Sequence, residues 1–355
     1  MRALHRVALM AAVLLAAIPL VPSPASAAGK QQVARCRNPR TCWPAAFAFT
    51  PDGSELFYVE RFSGEIRHVP LAGGADQRWG KIKGVAGGGE RGALGLALDP
   101  DWSMGPDHQW VYVYYTDGHP EVNRIIRLRK QGGGTQQDQL VRIPANSFHD
   151  GGVIHFGPDG KLYAVTGDAG NPDRSQQRKN LGGKVLRLEE TGARPADNPM
   201  PGSKAFSFGH RNSFGFTFDP RTGKLWQTEN GPTCDDEINL VLPGDNYGWG
   251  GASTCPDTGD SGPNPQAPEL RWNPLIAPTG AAFCDGCGLA ADVDGDLLVG
   301  AYLDGRIRNL DLNADRTGIT GQGVVLDNPR AVLAVEAAPD GRVYFSDNRG
   351  IYRLV

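Results

Sequence analysis

His149 is the residue in this sequence whose type and setting most suggest acid–base chemistry. It stands in the segment SFHDGGVIHFGPDG, two residues before the pair Gly151-Gly152 and close to the start of a predicted strand. A histidine can accept a proton near neutral pH, and paired glycines let a ligand or a backbone approach closely. His149 is therefore a candidate general base, although a lone histidine is more often structural. We interpret His155, within the strand itself, as structural.

A second polar cluster, His210-Arg211-Asn212, interrupts the aromatic segment FGHRNSFGFTFDP. An arginine placed before a strand supplies a permanent positive charge, which could hold an anion or stabilise negative charge in a transition state. A buried ion pair between this arginine and an aspartate is the alternative explanation.

A third segment, TENGPTCDDEINLVLPGDNYGWG, joins Gly231-Pro232 to a run of three acids that includes Asp236. Backbone carbonyls beside acidic side chains suit a hard cation such as Ca²⁺. The alternative is a loop whose acids simply face solvent. The run DVDGD at 292–296 also looks like a calcium loop, but it falls at a predicted hairpin turn and lacks a downstream glutamate at the required spacing. We interpret it as a turn.

These segments lie at the edges of a repeated unit, and the repeats predict the fold. The unit is a short apolar run, a turn built on Pro-Asp-Gly or a related sequence, an alternating strand, a glycine-centred turn and a further strand. Six copies occur, with their turns 46 to 73 residues apart. A four-stranded propeller blade needs roughly 40–50 residues. The sequence therefore predicts an all-β, six-bladed β-propeller.

The predicted propeller spans residues 28–355 as a single domain, and its last repeat stops at Val355 with little sequence to spare. We expect a strand from the first residues of the mature chain to complete this blade and close the ring, so that no long sheet edge is left exposed. Because a propeller does not define its own function, the function must come from loop residues that converge on one mouth of the central channel.

Residues 1–27 have the features of a secretory signal peptide: a weakly basic start, an apolar stretch, and Ala25 and Ala27 before the expected cleavage site. A membrane anchor is the alternative, but the apolar stretch is short and Pro19 interrupts it. We expect export to the periplasm or the extracellular space and no membrane span elsewhere. The formal net charge of −3 argues against nucleic acid and anionic membranes as partners.

The six cysteines of an exported chain indicate disulfides. Sequence alone allows fifteen connectivities. The short spacings favour the pairs Cys36–Cys42, Cys234–Cys255 and Cys284–Cys287. A cysteine-based metal site is the weaker alternative, because the single C-x-x-C has no histidine close to it.

Together these motifs resemble the soluble quinoprotein sugar dehydrogenases, the glucose/sorbosone dehydrogenase family, with its short, aldose-oxidising branch most similar in length. The similarity is strong over about residues 44–250 and runs through GGERGALGLALDP, FHDGGVIHFGPDGKLYAVTGD, NLGGKVLRL, GHRNSFGFTFDP and ENGPTCDDEINLVLPGDNYGWG. The family implies pyrroloquinoline quinone (PQQ) bound with Ca²⁺ over the mouth of a six-bladed propeller. It implies oxidation of the anomeric C–OH of an aldose or similar polyol by hydride transfer to PQQ, and an external electron acceptor.

The resemblance also implies roles for single residues. His149 matches the base that takes the hydroxyl proton of the sugar, and Arg211 matches the arginine that stabilises charge on the reducing quinone oxygen. The other matching positions are a cofactor contact at Asn212, sites near cofactor or substrate at Glu90 and Asp236, and the calcium-ligating carbonyls of Gly231 and Pro232.

The sequence departs from the family in its last third. The family has a lysine in the fifth blade and an Arg-x-Arg before the last Pro-Asp-Gly, which hold the carboxylates of PQQ. These positions fall near Leu303 and on Ala331 and Leu333. Carboxylates need cationic partners, since burying them unpaired is costly. The candidates in this part of the chain are Arg330, which lies closest, Arg306 and Arg308.

Two other functions stay open from the sequence. A non-catalytic binding propeller that has lost the quinone would explain the missing basic residues. A calcium-dependent, lactonase-like hydrolase of six blades would require several side-chain carboxylates to meet in the channel.

Overall fold

The computed structural model describes residues 28–119, 121–256 and 258–355, and these are built almost entirely from β-strands. The predicted signal peptide, 1–27, lies outside the described residues, so that assignment stays a prediction. Within the described ranges, helical structure is limited to α1 (Asp173–Gln176) and two short 3₁₀ turns, Trp102–Met104 and Pro106–His108. None of these helices could cross a membrane.

The described strands form six four-stranded antiparallel sheets, arranged as the blades of a β-propeller, so the predicted fold is confirmed. In chain order the strands are β1 (Lys30–Arg35), β2 (Pro44–Phe49), β3 (Glu55–Glu60), β4 (Glu65–Pro70), β5 (Gln77–Lys81), β6 (Ala93–Leu98), β7 (Val111–Gly118), β8 (Glu121–Gln131), β9 (Gly134–Ile143), β10 (Gly151–Phe156), β11 (Leu162–Thr166), β12 (Lys184–Leu188), β13 (Ala205–Phe208), β14 (Gly215–Phe218), β15 (Leu225–Glu229), β16 (Asp236–Val241), β17 (Leu270–Trp272), β18 (Pro278–Phe283), β19 (Leu297–Ala301), β20 (Arg306–Leu312), β21 (Ile319–Asp327), β22 (Ala334–Ala337), β23 (Val343–Asp347) and β24 (Gly350–Leu354).

The sixth blade joins the two ends of the described chain. Five blades use four consecutive strands each, from β2–β5 to β18–β21, whereas the last has the order β1-β24-β23-β22. β1 pairs antiparallel with β24, with Lys30 opposite Leu354 and Arg35 opposite Gly350. The prediction that an N-terminal strand completes the last blade is therefore confirmed.

All three predicted disulfides are present. The pair Cys36–Cys42 links the residue after β1 to the loop before β2, and so ties the sixth blade to the first. The pair Cys234–Cys255 joins two loops of the fourth blade, and Cys284–Cys287 closes a tight loop after β18.

Each blade packs between two neighbours, which explains why its inner strands are apolar on both faces. In β7, Tyr112 and Tyr114 pack toward the third blade, whereas the alternate residues Val111 and Val113 pack toward the first. Successive strand residues point to opposite faces of a sheet, so an unbroken apolar run fills both interfaces. This packing makes a rigid frame for the loops.

The first strands of the blades surround the central channel, since neighbouring first strands contact one another. Every first strand runs away from one mouth of the channel, and its antiparallel partner returns to that mouth. Residues just before a first strand and just after a second strand therefore meet at this mouth. The Pro-Asp-Gly turns lie at the opposite end.

Candidate active site

His149 lies two residues before β10 at the channel mouth, with its backbone in the left-handed region at φ 62°. Few residues other than glycine adopt this conformation. Two hydrogen bonds hold the His149 backbone in this conformation. Its N–H donates to Oε2 of Glu90 at 2.6 Å, and its carbonyl accepts from the N–H of Ala169 at 3.0 Å. The side chain is 20% exposed, so the ring is held in place and still reachable.

Asp168 fixes the orientation of the His149 imidazole. It follows β11, the second strand of the same blade, and its carboxylate is fully buried. Oδ1 lies 2.8 Å from Nδ1 of His149, and Oδ2 accepts the indole N–H of Trp249 at 2.8 Å. A carboxylate held by these donors accepts the Nδ1 proton, which leaves Nε2 of His149 as a proton acceptor.

Sequence analysis missed both Asp168 and Trp249. Asp168 lies two residues after β11, in the ordinary segment AVTGD, and only its position after the strand that pairs with β10 could have suggested a link to His149. Trp249 belongs to the Asn-Tyr-Gly-Trp turn at the end of the third segment, to which the sequence assigned no role. Its indole reaches Asp168 across the join between the third and fourth blades.

Glu229, at the end of β15, organises the His210-Arg211-Asn212 segment. One carboxylate oxygen accepts the backbone N–H groups of Arg211 at 3.0 Å and Asn212 at 2.5 Å. The other lies 3.0 Å from Nδ1 of His210, whose ring is fully buried and stacked on Tyr247. His210 is therefore structural, and it positions the two residues that follow it.

Asn212 and Glu90 connect the second, third and fourth blades. The amide of Asn212 donates to Oε2 of Glu90 at 3.0 Å and accepts the backbone N–H of Gly151 at 3.2 Å. The same Glu90 oxygen holds the backbone of His149. Glu90 and Asn212 thus lie together and brace the loop that carries His149.

Arg211 brings a partly buried positive charge to the mouth. Its guanidinium donates to the carbonyl of Asn230 at 2.8 Å and lies over the ring of Trp249, 5.3 Å from the centroid. Burial lowers the pKa of Arg211, although an arginine keeps its charge at neutral pH. Its Nε is buried without a hydrogen-bond partner among the described residues. The alternative of a simple ion pair is not observed, because no carboxylate oxygen of the described chain lies within 4.0 Å of the guanidinium.

The loop after β15 carries Gly231 and Pro232, and Asp236 holds its shape. The carboxylate of Asp236 accepts the N–H of Gly231 at 3.0 Å and the N–H groups of Ile276 and Ala277, both at 2.7 Å. Burial raises the pKa of Asp236, and these three donors counteract that effect. Asp236 is thus occupied with the backbone, and its contribution in this structure is to fix the loop.

The carbonyls of Gly231 and Pro232 accept no hydrogen bond from any described residue. The tight fold of the loop also requires glycine at 231, since a Cβ there would lie 1.9 Å from the carbonyl oxygen of Cys234. Backbone carbonyl oxygens that accept no hydrogen bond are suitable ligands for a hard cation such as Ca²⁺.

A cavity of about 290 Å³ opens at the channel mouth and adjoins this cluster through Glu90 and Asn230. Its wall is largely apolar and includes Phe148 and Tyr302, which are 57% and 43% exposed. Arg61, which follows β3, is the single lysine or arginine among the described residues that line it. Sequence analysis missed Arg61, because Glu-Arg after a strand looks like an ordinary surface pair.

Arg330 was expected to face the cofactor site, and this prediction is wrong. Leu333 lines the mouth cavity, so the Arg-x-Arg position of the family does face the site, but it carries an apolar side chain. Arg330, three residues earlier, lines a separate groove with Arg349 and Tyr352 and lies 3.9 Å from Asp347. The chain turns between the two residues, and proximity in sequence does not bring Arg330 to the site.

Arg306 and Arg308, the other two candidates, do not line the cavity either. Arg308 makes a two-pronged contact with Asp304, and Arg306 pairs with Asp327 at 3.5 Å. Leu303, at the lysine position of the family, is 62% exposed.

Comparison with known proteins places this architecture in a family. The sequence pattern of the family described as Glucose / Sorbosone dehydrogenase matches residues 41–354, and the chain belongs to that family. Quinoprotein glucose dehydrogenase B of Acinetobacter calcoaceticus is 33% identical over 242 residues, which are 58% of this chain and 50% of that protein. The chain thus matches about half the length of this relative.

Two further proteins match over nearly their full length. Aldose sugar dehydrogenase YliI of Escherichia coli K12 is 26% identical over 327 residues, which are 85% of this chain and 86% of the relative. The solved structure of the PQQ-bound form of an aldose sugar dehydrogenase from Streptomyces coelicolor superimposes with a TM-score of 0.78 at 29% identity. That match covers 94% of this chain and 99% of the other.

Proposed function

We propose that this protein is an exported quinoprotein dehydrogenase that oxidises the anomeric C–OH of an aldose or similar polyol, with PQQ and Ca²⁺ as cofactors. The observation that carries the proposal is the chain of contacts Trp249–Asp168–His149, which leaves Nε2 of His149 without a hydrogen-bond partner among the described residues. The partly buried guanidinium of Arg211 lies over the ring of the same Trp249. Its relatives' names, quinoprotein glucose dehydrogenase and aldose sugar dehydrogenase, support the reaction type.

The residues at the mouth fit these cofactors. The unpartnered Nε of Arg211 is a buried donor that a quinone oxygen would satisfy. The free carbonyls of Gly231 and Pro232 would hold Ca²⁺, on a loop fixed by Asp236. When bound, PQQ supplies a two-electron acceptor and Ca²⁺ polarises it as a Lewis acid.

His149 accepts the proton of the anomeric hydroxyl on Nε2 in this proposal. Asp168 keeps the proton of the neutral ring on Nδ1 and stabilises the imidazolium that forms. The guanidinium of Arg211 would stabilise negative charge on an oxygen of the bound quinone. Glu90 and Asn212 hold His149 at its left-handed backbone position, so that the ring is ready before the substrate arrives.

The alternative functions have less support. A lactonase-like hydrolase needs free carboxylates around a metal, whereas Asp168 and Asp236 already accept two or more donors each. A binding propeller without a quinone would not require the buried, oriented His149–Asp168 pair.

The proposal is tested by reconstitution. Purified protein is incubated with Ca²⁺ and PQQ, and reduction of a redox dye is followed with a panel of aldoses and polyols. We expect dye reduction that depends on sugar, PQQ and Ca²⁺ together, and that is lost when any one is omitted. Protein that binds no PQQ and reduces no dye with any of the sugars would refute the proposal.

A further inference from the structure

We propose that Arg61 is the cationic partner for a carboxylate of the bound quinone, in place of the basic residues that the last two blades lack. This inference rests on the proposed function. It assigns a binding role to a residue in the first blade, whereas Leu303 belongs to the fifth blade and Leu333 directly precedes the first strand of the sixth.

The position of Arg61 is the first argument. It follows β3, the second strand of its blade, and therefore lies at the same mouth as His149. Its Nε donates to the carbonyl of Arg91 at 3.1 Å, and its Nη2 donates to the carbonyl of Gly89 at 2.9 Å. These two bonds fix the plane of the guanidinium at the edge of the cavity. A guanidinium carries five N–H donors, so others remain for a ligand.

The positive charge of Arg61 is not neutralised by an ion pair within the described residues. Burial lowers the pKa of Arg61, and the nearby carboxylates of Glu90 and Asp150 offset this effect only in part. Neither forms an ion pair with it, because within the described ranges no carboxylate oxygen lies within 4.0 Å of its guanidinium. Glu90 instead holds His149 and Asn212. A partly desolvated cation without an ion-pair partner costs free energy, and an anionic ligand would reduce that cost.

The third argument is the chemistry of the ligand. PQQ carries carboxylates, and a planar guanidinium matches a carboxylate with two parallel hydrogen bonds. The wall formed by Tyr302 and Leu333 offers no positive charge for such a group. Arg306 and Arg308 are already paired with Asp327 and Asp304. Of the described residues lining the cavity, Arg61 alone can supply the charge.

The experiment measures equilibrium binding of two ligands to apo-protein in Ca²⁺ by tryptophan fluorescence quenching. The ligands are PQQ and its trimethyl ester, in which the carboxylates are uncharged. The variants are Arg61→Gln, Arg61→Lys and Arg330→Gln, and thermal unfolding confirms that each is folded. Comparing acid with ester separates a direct ion pair from an indirect effect on the loop at 88–91.

We expect Arg61→Gln to weaken PQQ binding at least tenfold and ester binding less than twofold, while Arg61→Lys keeps most of the affinity for PQQ. Arg330→Gln should bind both ligands like the unmodified protein. Equal losses for acid and ester in Arg61→Gln would overturn the inference and indicate that Arg61 only braces the Gly89 loop. Unchanged PQQ binding would also overturn it. If the unmodified protein binds neither ligand, the proposed function itself fails and the inference falls with it.

Discussion

The tautomer of His149 depends on one buried carboxylate. Asp168 accepts the Nδ1 proton of His149 and the indole N–H of Trp249, each at 2.8 Å, and it is shielded from water. Without its negative charge, the ring could turn or carry its proton on Nε2, where it could no longer accept one. Asp168 is thus a positioning residue whose loss should affect turnover more than binding.

We expect Asp168→Asn to lower kcat for sugar oxidation by roughly 10²–10⁴-fold, the usual contribution of a positioned general base. KM for the sugar and the affinity for PQQ should change little, since the Asp168 carboxylate is fully buried and both of its oxygens are already hydrogen-bonded. Steady-state kinetics with a redox dye measure the first two quantities. Asp173→Asn, an exposed aspartate in α1, is the matched control. A variant at 168 with undiminished kcat would contradict this role.

Glu237 should make the free energy of unfolding depend on pH. Burial, aided by the charge of Glu229, raises its pKa to about 8 from an ordinary value of 4.5. A raised folded-state pKa means that the unfolded chain loses this proton first as the pH increases. The contribution of Glu237 to stability is therefore full below about pH 4.5 and is lost progressively as the pH rises to about 8.

Glu237→Gln should remove this loss, because glutamine stays neutral. Relative to the unmodified protein, the variant should gain about 1.4 kcal/mol in free energy of unfolding for each pH unit within that range. Urea denaturation at pH 5 and pH 8 measures the difference. The exposed Glu190→Gln is the control. Parallel pH profiles for the unmodified protein and Glu237→Gln would refute the shift.

Single residues were only partly predictable from sequence. His149 and Arg211 were recognisable because they interrupt a repeat with polar side chains next to glycines. Asp168 and Arg61 were not, since an acid or arginine at a strand end is ordinary until the fold shows which strand ends meet. Arg330 was expected at the site from its distance along the chain, which does not report the direction that the chain takes after β21.

Among the strands, β1 is the one that closes the ring of blades. It supplies the outer strand of the sixth blade through its pairing with β24, and the Cys36–Cys42 disulfide carries the connection on to the first blade. The need for such a strand could be predicted because the last repeat was one strand short. Its exact pairing register could not, since the register shifts within the strand between Gln32 and Ala34.

Removing β1 should expose the edge of β24 and open the ring between the sixth and first blades. We expect deletion of residues 1–35 to lower Tm by roughly 10 °C or more, given that each kcal/mol shifts Tm by a few degrees in a domain of this size. Differential scanning calorimetry gives the value. Deletion of residues 1–27 alone serves as control and should fold normally. If both truncations had the same Tm, β1 would not be a stabilising strand.

Across the whole molecule, the site is assembled from loops of successive blades. Arg61 comes from the first blade, Glu90 from the loop into the second, His149 from the third and Arg211 from the fourth. The repeats predicted the number of blades, and hence that strand ends would converge on a mouth. Hydrogen bonds between blades, such as that between Glu90 and Asn212, depend on side-chain geometry that no repeat pattern contains.

We predict that this mouth couples proton removal by His149 to electron transfer into a bound quinone. The most direct measurement is a single-turnover experiment, in which PQQ- and Ca²⁺-loaded protein is mixed with an aldose and the absorption of the cofactor is followed by stopped flow. We expect sugar-dependent reduction of the cofactor in the unmodified protein, slowed at least 100-fold in His149→Gln with PQQ still bound. Bound PQQ that no aldose reduces, or equal rates in the two proteins, would contradict the account.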